Sequence, residues 1–325
     1  MNKVGLLTVS AIVLFCGQVC SAQRTQLVQW GQSITESSGL ASTGLVTIAR
    51  QPISNAASIC AGDAHALAVL ADSTVVGWGW NLAGQATGTK SDYPYVGSGP
   101  VILDGKPLRG VAAVAAGRLF SLALKEDRTV IGWGEIESGT KLRLPPDLTN
   151  IVSIAAAGNH ALALRSDGSV VGIGSNGHLL SALTNVVSLA VSRVEWGRDI
   201  ALLRSGTCVA WELRGTEMAV RPVRGVQDVI AIASGGGHSL FLNRSGKVVE
   251  RYENEDTVHD VLKLTEVKAI AAGAERASLA LRSDGTVSIW GGFHRTAQPP
   301  EGLTNVIAIA AGERFFLALQ KKQAQ

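Results

Sequence analysis

The chain has 325 residues, 46% hydrophobic and 17% charged, with a formal net charge of +3 at pH 7. So much apolar surface excludes a disordered chain, and so small a charge gives no ground for a nucleic-acid surface or a strongly acidic substrate. The 37 glycines, set against 5% aromatics, describe many tight turns between short apolar runs.

Residues 1–22 read as a signal peptide: Lys3 first, an apolar run from Leu6 to Phe15, then the small residues Cys20-Ser21-Ala22 before Gln23. The run is too short to span a bilayer. Phe15 and Val19 stand before Cys16 and Cys20, where lipid modification would want a small residue. The expectation is a secreted or periplasmic protein of one domain, 23–325, monomeric and without a membrane span once the signal is cleaved near Ala22. Cys60 and Cys208 remain after cleavage, on separate repeats. A disulfide needs Cα atoms within about 7 Å, so both are expected as buried free thiols.

Past the signal, one strand-like segment, Thr25–Gly31 (TQLVQWG), precedes a repeat. Each repeat is an apolar strand ending in Ala-Ala-Gly or a close variant, two variable residues, a position often held by His, then small-Leu-Ala-Leu. A Ser-Asp-Gly type of turn and a strand ending in Trp-Gly follow. Repeats start at Ile59, Val114, Ile154, Leu189, Ile232, Ile270 and Ile309. The fourth is irregular, and the seventh ends before its Trp-Gly strand. Thr25–Gly31 is that missing strand. A split repeat is what a closed ring requires, because closure removes the open sheet edges. From His65 to Phe120 is 55 residues and from Phe120 to His160 is 40, lengths suited to one small antiparallel sheet per repeat. The predicted fold is all-β, a seven-bladed β-propeller closed by pairing of the N-terminal strand with the C-terminal blade.

The recurring residues have structural readings. Small residues let strands crowd at a propeller axis. Trp30, Trp78, Trp133, Trp211 and Trp290 fill one position, with Ile173 and Arg251 in the other two repeats, and packing between blades is the expected role. His65, His160 and His238 share a position that Phe120, Arg276 and Phe315 fill elsewhere. Phe cannot ligate, and equivalent sites on different blades lie too far apart to share an ion. Buried, hydrogen-bonded histidines are expected, and no metal or cofactor. No metalloprotease, nucleophile-elbow or phosphate-loop motif occurs, so no catalytic residue is assigned.

Ala-Ala-Gly-x-x-His-small-Leu-Ala-Leu followed by Asp-Gly-x-Val-x-x-Trp-Gly resembles the regulator-of-chromosome-condensation (RCC1-type) repeat, here in a secreted bacterial branch. Trp78-Gly79-Trp80-Asn81-Leu82-Ala83-Gly84-Gln85 is similar to that family's Trp-Gly-x-Asn-x-x-Gly-Gln signature and is intact only in the first repeat. The resemblance implies a seven-bladed propeller. It also implies nucleotide exchange on a small GTPase and chromatin binding, neither of which suits an exported chain without a basic tail. The nearer functional analogue is a secreted bacterial inhibitor of class A β-lactamases, alike in repeat type and export.

Antiparallel topology puts the turn after each first strand and the loop after Trp-Gly on one face. That face collects Trp80, Tyr93, Tyr95, Arg193, Trp196, Arg198, Arg276, Phe293, His294 and Arg314. Trp, Tyr and Arg are the commonest interface anchors. The expected function is a non-enzymatic propeller that binds an extracytoplasmic protein or glycan, with inhibition of an enzyme as one form. Two alternatives stay open: a structural or surface repeat module without a discrete site, and a cryptic carbohydrate-binding or carbohydrate-active protein. Simple decay of the fourth repeat is the bland explanation of its odd residues.

Overall fold

The computed structural model describes residues 25–31, 43–93, 95–174, 183–194, 197–214, 217–253, 255, 257–261, 264–292 and 298–322. Residues 1–22, expected from sequence to be a signal peptide, lie outside them. The described chain is all-β: seven antiparallel sheets of three or four strands, with two short ribbons at Thr47–Ile48/Gln51–Pro52 and Ile102–Leu103/Lys106–Pro107.

Each sheet is a blade, numbered here by its repeat. In blade 1 the strands run Ala56–Ala61, His65–Leu70, Val75–Trp80 and Val96–Pro100 from the axis outward. The inner strands of blades 2–7 are Val111–Ala116, Ile151–Ala157, Val186–Ala190, Val229–Ser234, Val267–Ala272 and Val306–Ala311. They contact one another in a closed cycle, the seventh meeting the first. All seven bulge near their first residue, which adds the local twist a propeller blade needs.

Closure is as the sequence implies. Thr25–Gly31 pairs along its whole length with Phe315–Lys321, from Thr25 opposite Lys321 to Gly31 opposite Phe315. Leu27 and Trp30 of this strand are buried, so the seam is held by core packing as well as by the ladder.

The small residues at the axis have a direct cause. A Cβ on Gly235 would collide with the carbonyl of Gly273 in the next blade, and one on Gly62 with that of Gly117. Backbone bonds cross the same gaps, from Gly236 N–H to the Gly273 carbonyl (2.9 Å) and from Asp63 N–H to the Gly117 carbonyl (3.2 Å). Farther out, the tryptophans join blades. Trp78 Nε1 donates to Gln29 Oε1 of blade 7 (2.9 Å), and Trp133 Nε1 to the Gln85 carbonyl of blade 1 (2.9 Å). Cys60 and Cys208 are free and buried, and burial pushes both thiols up to about 12.

Opposite the His-bearing turns, Asp72, Asp127, Asp167 and Asp284 close the hairpins. Each Oδ1 accepts from the backbone N–H and the hydroxyl two residues on. These bonds hold the four carboxyls below the usual range. Turn chemistry accounts for them.

Candidate functional site

The three aligned histidines are latches between blades. His65 Nε2 meets Ser121 Oγ of blade 2 at 2.8 Å, His160 Nε2 meets Asp199 of blade 4 at 3.0 Å, and His238 Nε2 meets Ser278 Oγ of blade 6 at 2.8 Å. Each acceptor is the residue just after the His position of the following blade. Burial, with the charge of Arg193, pushes His65 down to about 3; burial, with the charge of Arg276, pushes His238 down to about 4. Burial opposes charge on His160 as well, but the Asp199 carboxylate outweighs it and raises that imidazole.

Strand register corrects one expectation. Ser278 lies opposite Trp290 as Ala66 lies opposite Trp78, and Gly273 N–H bonds to the Ala277 carbonyl as Gly62 N–H bonds to that of His65. Ala277, not Arg276, therefore holds the His position of blade 6. The turn there has one extra residue, taken up by positive φ at Glu275 (52°) and Arg276 (64°). Arg276 is thereby lifted out of the blade, and its guanidinium lies 4.4 Å from the ring centroid of Tyr252 in blade 5.

Arg193 crosses the ring. Blade 4 stands opposite the seam between blades 7 and 1, and its turn sends Arg193 Nη1 to Asp63 Oδ1 (2.8 Å) and Nη2 to the carbonyls of Ala61 and Ala311. The side chain is only 9% exposed. It is spent on the propeller itself and offers no surface to a partner.

The outward-facing group is the loop after Trp80. Asn81 is fully buried and organises it. Its Nδ2, with two hydrogens to donate, lies within hydrogen-bond distance of Thr87 Oγ1, the Thr89 carbonyl and Ser91 Oγ, and its Oδ1 accepts from the N–H groups of Ala86 and Thr87. The Gln85 carbonyl accepts from both Ser121 Oγ and Trp133 Nε1, which bolts the loop to blade 2. The Asn and Gln of the Trp-Gly-x-Asn-x-x-Gly-Gln signature are thus one loop's skeleton. On it stand three aromatics: Trp80 and Tyr95 edge to face at 5.8 Å, and Tyr95 and Tyr93 edge to face at 5.8 Å. Tyr93 is 81% exposed.

A second group forms between blades 5 and 6. Tyr252 packs on Arg276 and on His259 (5.5 Å) and donates to Glu250 Oε2 at 3.3 Å. Burial raises Glu250; burial and the Glu250 charge raise Tyr252. Tyr252 was not singled out from sequence, because its repeat has lost the Trp-Gly that would have marked the position. Arg314 sits 3.7 Å from Glu275 and is exposed. Arg198 is half-buried near Glu253. Trp196, Phe293 and His294 lie outside the described residues. Among the described residues, no cluster of His, Cys, Asp or Glu could hold a metal, and no helix is long and apolar enough to cross a membrane.

Seven cyclically packed antiparallel sheets, with the last blade completed by the first strand, define a closed seven-bladed β-propeller. Two of its segments, residues 56–85 and 151–178, match the regulator of chromosome condensation (RCC1) repeat. Similar solved structures include Saccharomyces cerevisiae Prp20p, a protein characterised for binding Gsp1p and histones. It is 18% identical, with a TM-score of 0.68, covering 94% of this chain and 93% of that one. Yeast RCC1 (Prp20) bound to Kap60 is 18% identical, with a TM-score of 0.71, covering 100% and 95%. Human WBSCR16 is 20% identical, with a TM-score of 0.70, covering 91% and 100%. At these identities the likeness is one of fold. Among curated proteins there is no significant sequence match.

Proposed function

We propose that this chain is a non-catalytic protein-binding propeller of the bacterial envelope or exterior, exported by residues 1–22 and acting as a monomer through its loop face. Inhibition of an extracytoplasmic enzyme is the form of binding that best suits a rigid scaffold of this kind. The observation that carries the reading is the Trp80–Tyr95–Tyr93 trio, with Tyr93 81% exposed on a loop fixed by a buried Asn. An exposed aromatic held rigidly gives up little conformational entropy on docking, and such residues dominate interface energetics. Protein binding by the fold relative Prp20p lends support by analogy.

The test is affinity capture of envelope and secreted proteins on the purified protein, with a Tyr93→Ala/Tyr95→Ala variant as the control bait. One stoichiometric protein held by the parent and lost by the variant is expected. A partner retained equally by both would refute the assignment of the face, and an empty capture by a well-folded parent would refute protein binding.

A further inference from the structure

Two groups of aromatic rings stand on the loop face, and one of them already has a cation. In blade 5 the Arg276 guanidinium covers Tyr252 at 4.4 Å from the ring centroid. In blade 1 no cation among the described residues lies over Trp80, Tyr95 or Tyr93. The cationic residue of that loop, Lys90, reaches across to Glu135 of blade 2. Its carboxylate, Asp92, is exposed next to Tyr93 in the chain and forms no ion pair among the described residues. The loop therefore offers electron-rich rings and a negative charge with nothing positive to meet them.

Tyr95 is the hub of the group. Trp80 meets it at 61° and Tyr93 at 85°, each with ring centroids 5.8 Å apart. Rings set at such angles leave much of their faces bare, and the face is the negative side of the ring quadrupole. A small cation lodged in the angle of either pair lies within about 6 Å of both centroids, the reach of cation–π attraction. Access is greatest at Tyr93. It is 81% exposed, whereas the next large apolar side chain among the described residues, Leu45, is 43% exposed. The backbone holds the angle: Tyr95 N–H donates to the Asp92 carbonyl (2.7 Å), the Tyr95 carbonyl accepts from Asn81 N–H (2.6 Å), and the φ of Tyr95 is 58°. A bulky residue in the left-handed region is strained, and such strain gathers where a side chain has to be held in one place for use. Leucines would serve a neutral apolar partner as well. Rings set edge to face, with a carboxylate next in the chain, select for positive charge.

We propose that the Trp80–Tyr95–Tyr93 group binds an organic cation, the guanidinium or alkylammonium of an arginine or lysine side chain on the docked protein. The proposal rests on the reading of this loop as the docking surface and names the kind of residue that the loop receives. The cation enters the angle between Tyr95 and Tyr93, and the Asp92 carboxylate adds to the attraction.

N-acetylarginine amide and N-acetyllysine amide are titrated into the purified protein at constant ionic strength, followed by NMR of isotope-labelled tyrosine rings. N-acetylcitrulline amide and N-acetylnorleucine amide are their uncharged counterparts. Saturable shifts of the Tyr93 and Tyr95 rings are expected with a cationic probe, at an affinity about fivefold or more above that of its uncharged counterpart. Tyr93→Phe, which keeps the ring face, keeps this selectivity, and Tyr93→Leu loses it. Tyr93 is exposed, so both variants keep the parent melting temperature. A preference between the two cationic probes identifies the side chain. No saturable shift, equal affinity for charged and uncharged probes, or unchanged selectivity in Tyr93→Leu overturns the proposal. No partner protein takes part in these titrations, so the two readings fail separately: a capture that depends on Tyr93, together with equal probe affinities, keeps the docking surface and discards the cation.

Discussion

Lowering the pH from 7.5 to 5.0 should destabilise the propeller through His65 and His238. Both imidazoles are held down in the folded state, to about 3 and about 4, whereas in the unfolded chain they titrate near ~6.5. The sign follows from proton counts. Between those values the unfolded chain binds protons that the folded chain refuses, so stability falls as pH falls. The effect starts below about 6.5 and, at about 1.4 kcal/mol per pH unit for each group, reaches about 2 kcal/mol per histidine at pH 5. His160 works the other way: its raised value adds stability below about 6.5 and loses it as pH rises through the folded value. The two depressed groups outnumber it. The geometry supplies a clean control, because Phe120 and Phe315 occupy the same position in blades 2 and 7, each ring lying against its glycine as the His65 ring lies against Gly62. Ser121 keeps a partner, the Gln85 carbonyl, when His65 is lost. Urea unfolding of the parent and of His65→Phe should therefore differ in pH dependence by about 2 kcal/mol between pH 7.5 and 5.0. Carboxylates titrate alike in both proteins and cancel. Parallel pH profiles would refute the claim that His65 stays neutral at its latch.

Three further outcomes follow from the same geometry. Arg193→Met should cost about 3–5 kcal/mol, because it strands Asp63 beside the axis; Asp63→Asn in the same chain should recover part of the loss, and a cost below 1 kcal/mol by urea unfolding would deny the crossing. Asn81→Ala removes the amide that bridges five groups of one loop and should cost about 3 kcal/mol, with new protease cleavage between 82 and 93 as the local readout; an uncut loop would mean that Asn81 does not organise it. Cys60 and Cys208 should resist thiol reagents at pH 8 until the protein unfolds, since burial holds both near 12; mass spectrometry of the native protein showing rapid labelling of either would contradict its burial.

The blade count, the split blade and the inter-blade tryptophans were legible because they repeat: a position seen seven times carries its own average. Thr25–Gly31 could be assigned to the last blade because its Gln-Trp-Gly ending is what Phe315–Lys321 lacks as a neighbour. The histidine latches were half legible. Burial followed from the position, but their acceptors Ser121, Asp199 and Ser278 emerge only when successive blades are set side by side. Arg276 was misplaced because counting forward from Ala-Ala-Gly assumes a constant turn length; counting back from Leu279-Ala280-Leu281 gives Ala277. The reach of Arg193 could not be read locally at all. It depends on seven being odd, so that one blade faces a seam across the axis.

The irregularity of blade 4 is better explained by use than by decay. A decayed turn would shed specific contacts, yet the residue this turn supplies, Arg193, makes three polar contacts to two blades on the far side of the ring, and Ser192 and Asp199 beside it bond to Glu253 and His160. Blade 5 departs from the repeat in Arg251, which lies opposite Ser239 at the Trp position. Replacing the interface Trp by Arg forfeits an aromatic burial of about 150–250 Å², a loss the other Trp-bearing blades avoid. Local rules of a fold are broken where a specific contact needs it, which makes the turn of blade 4, alongside the loop of blade 1, the part of the molecule where function should be sought.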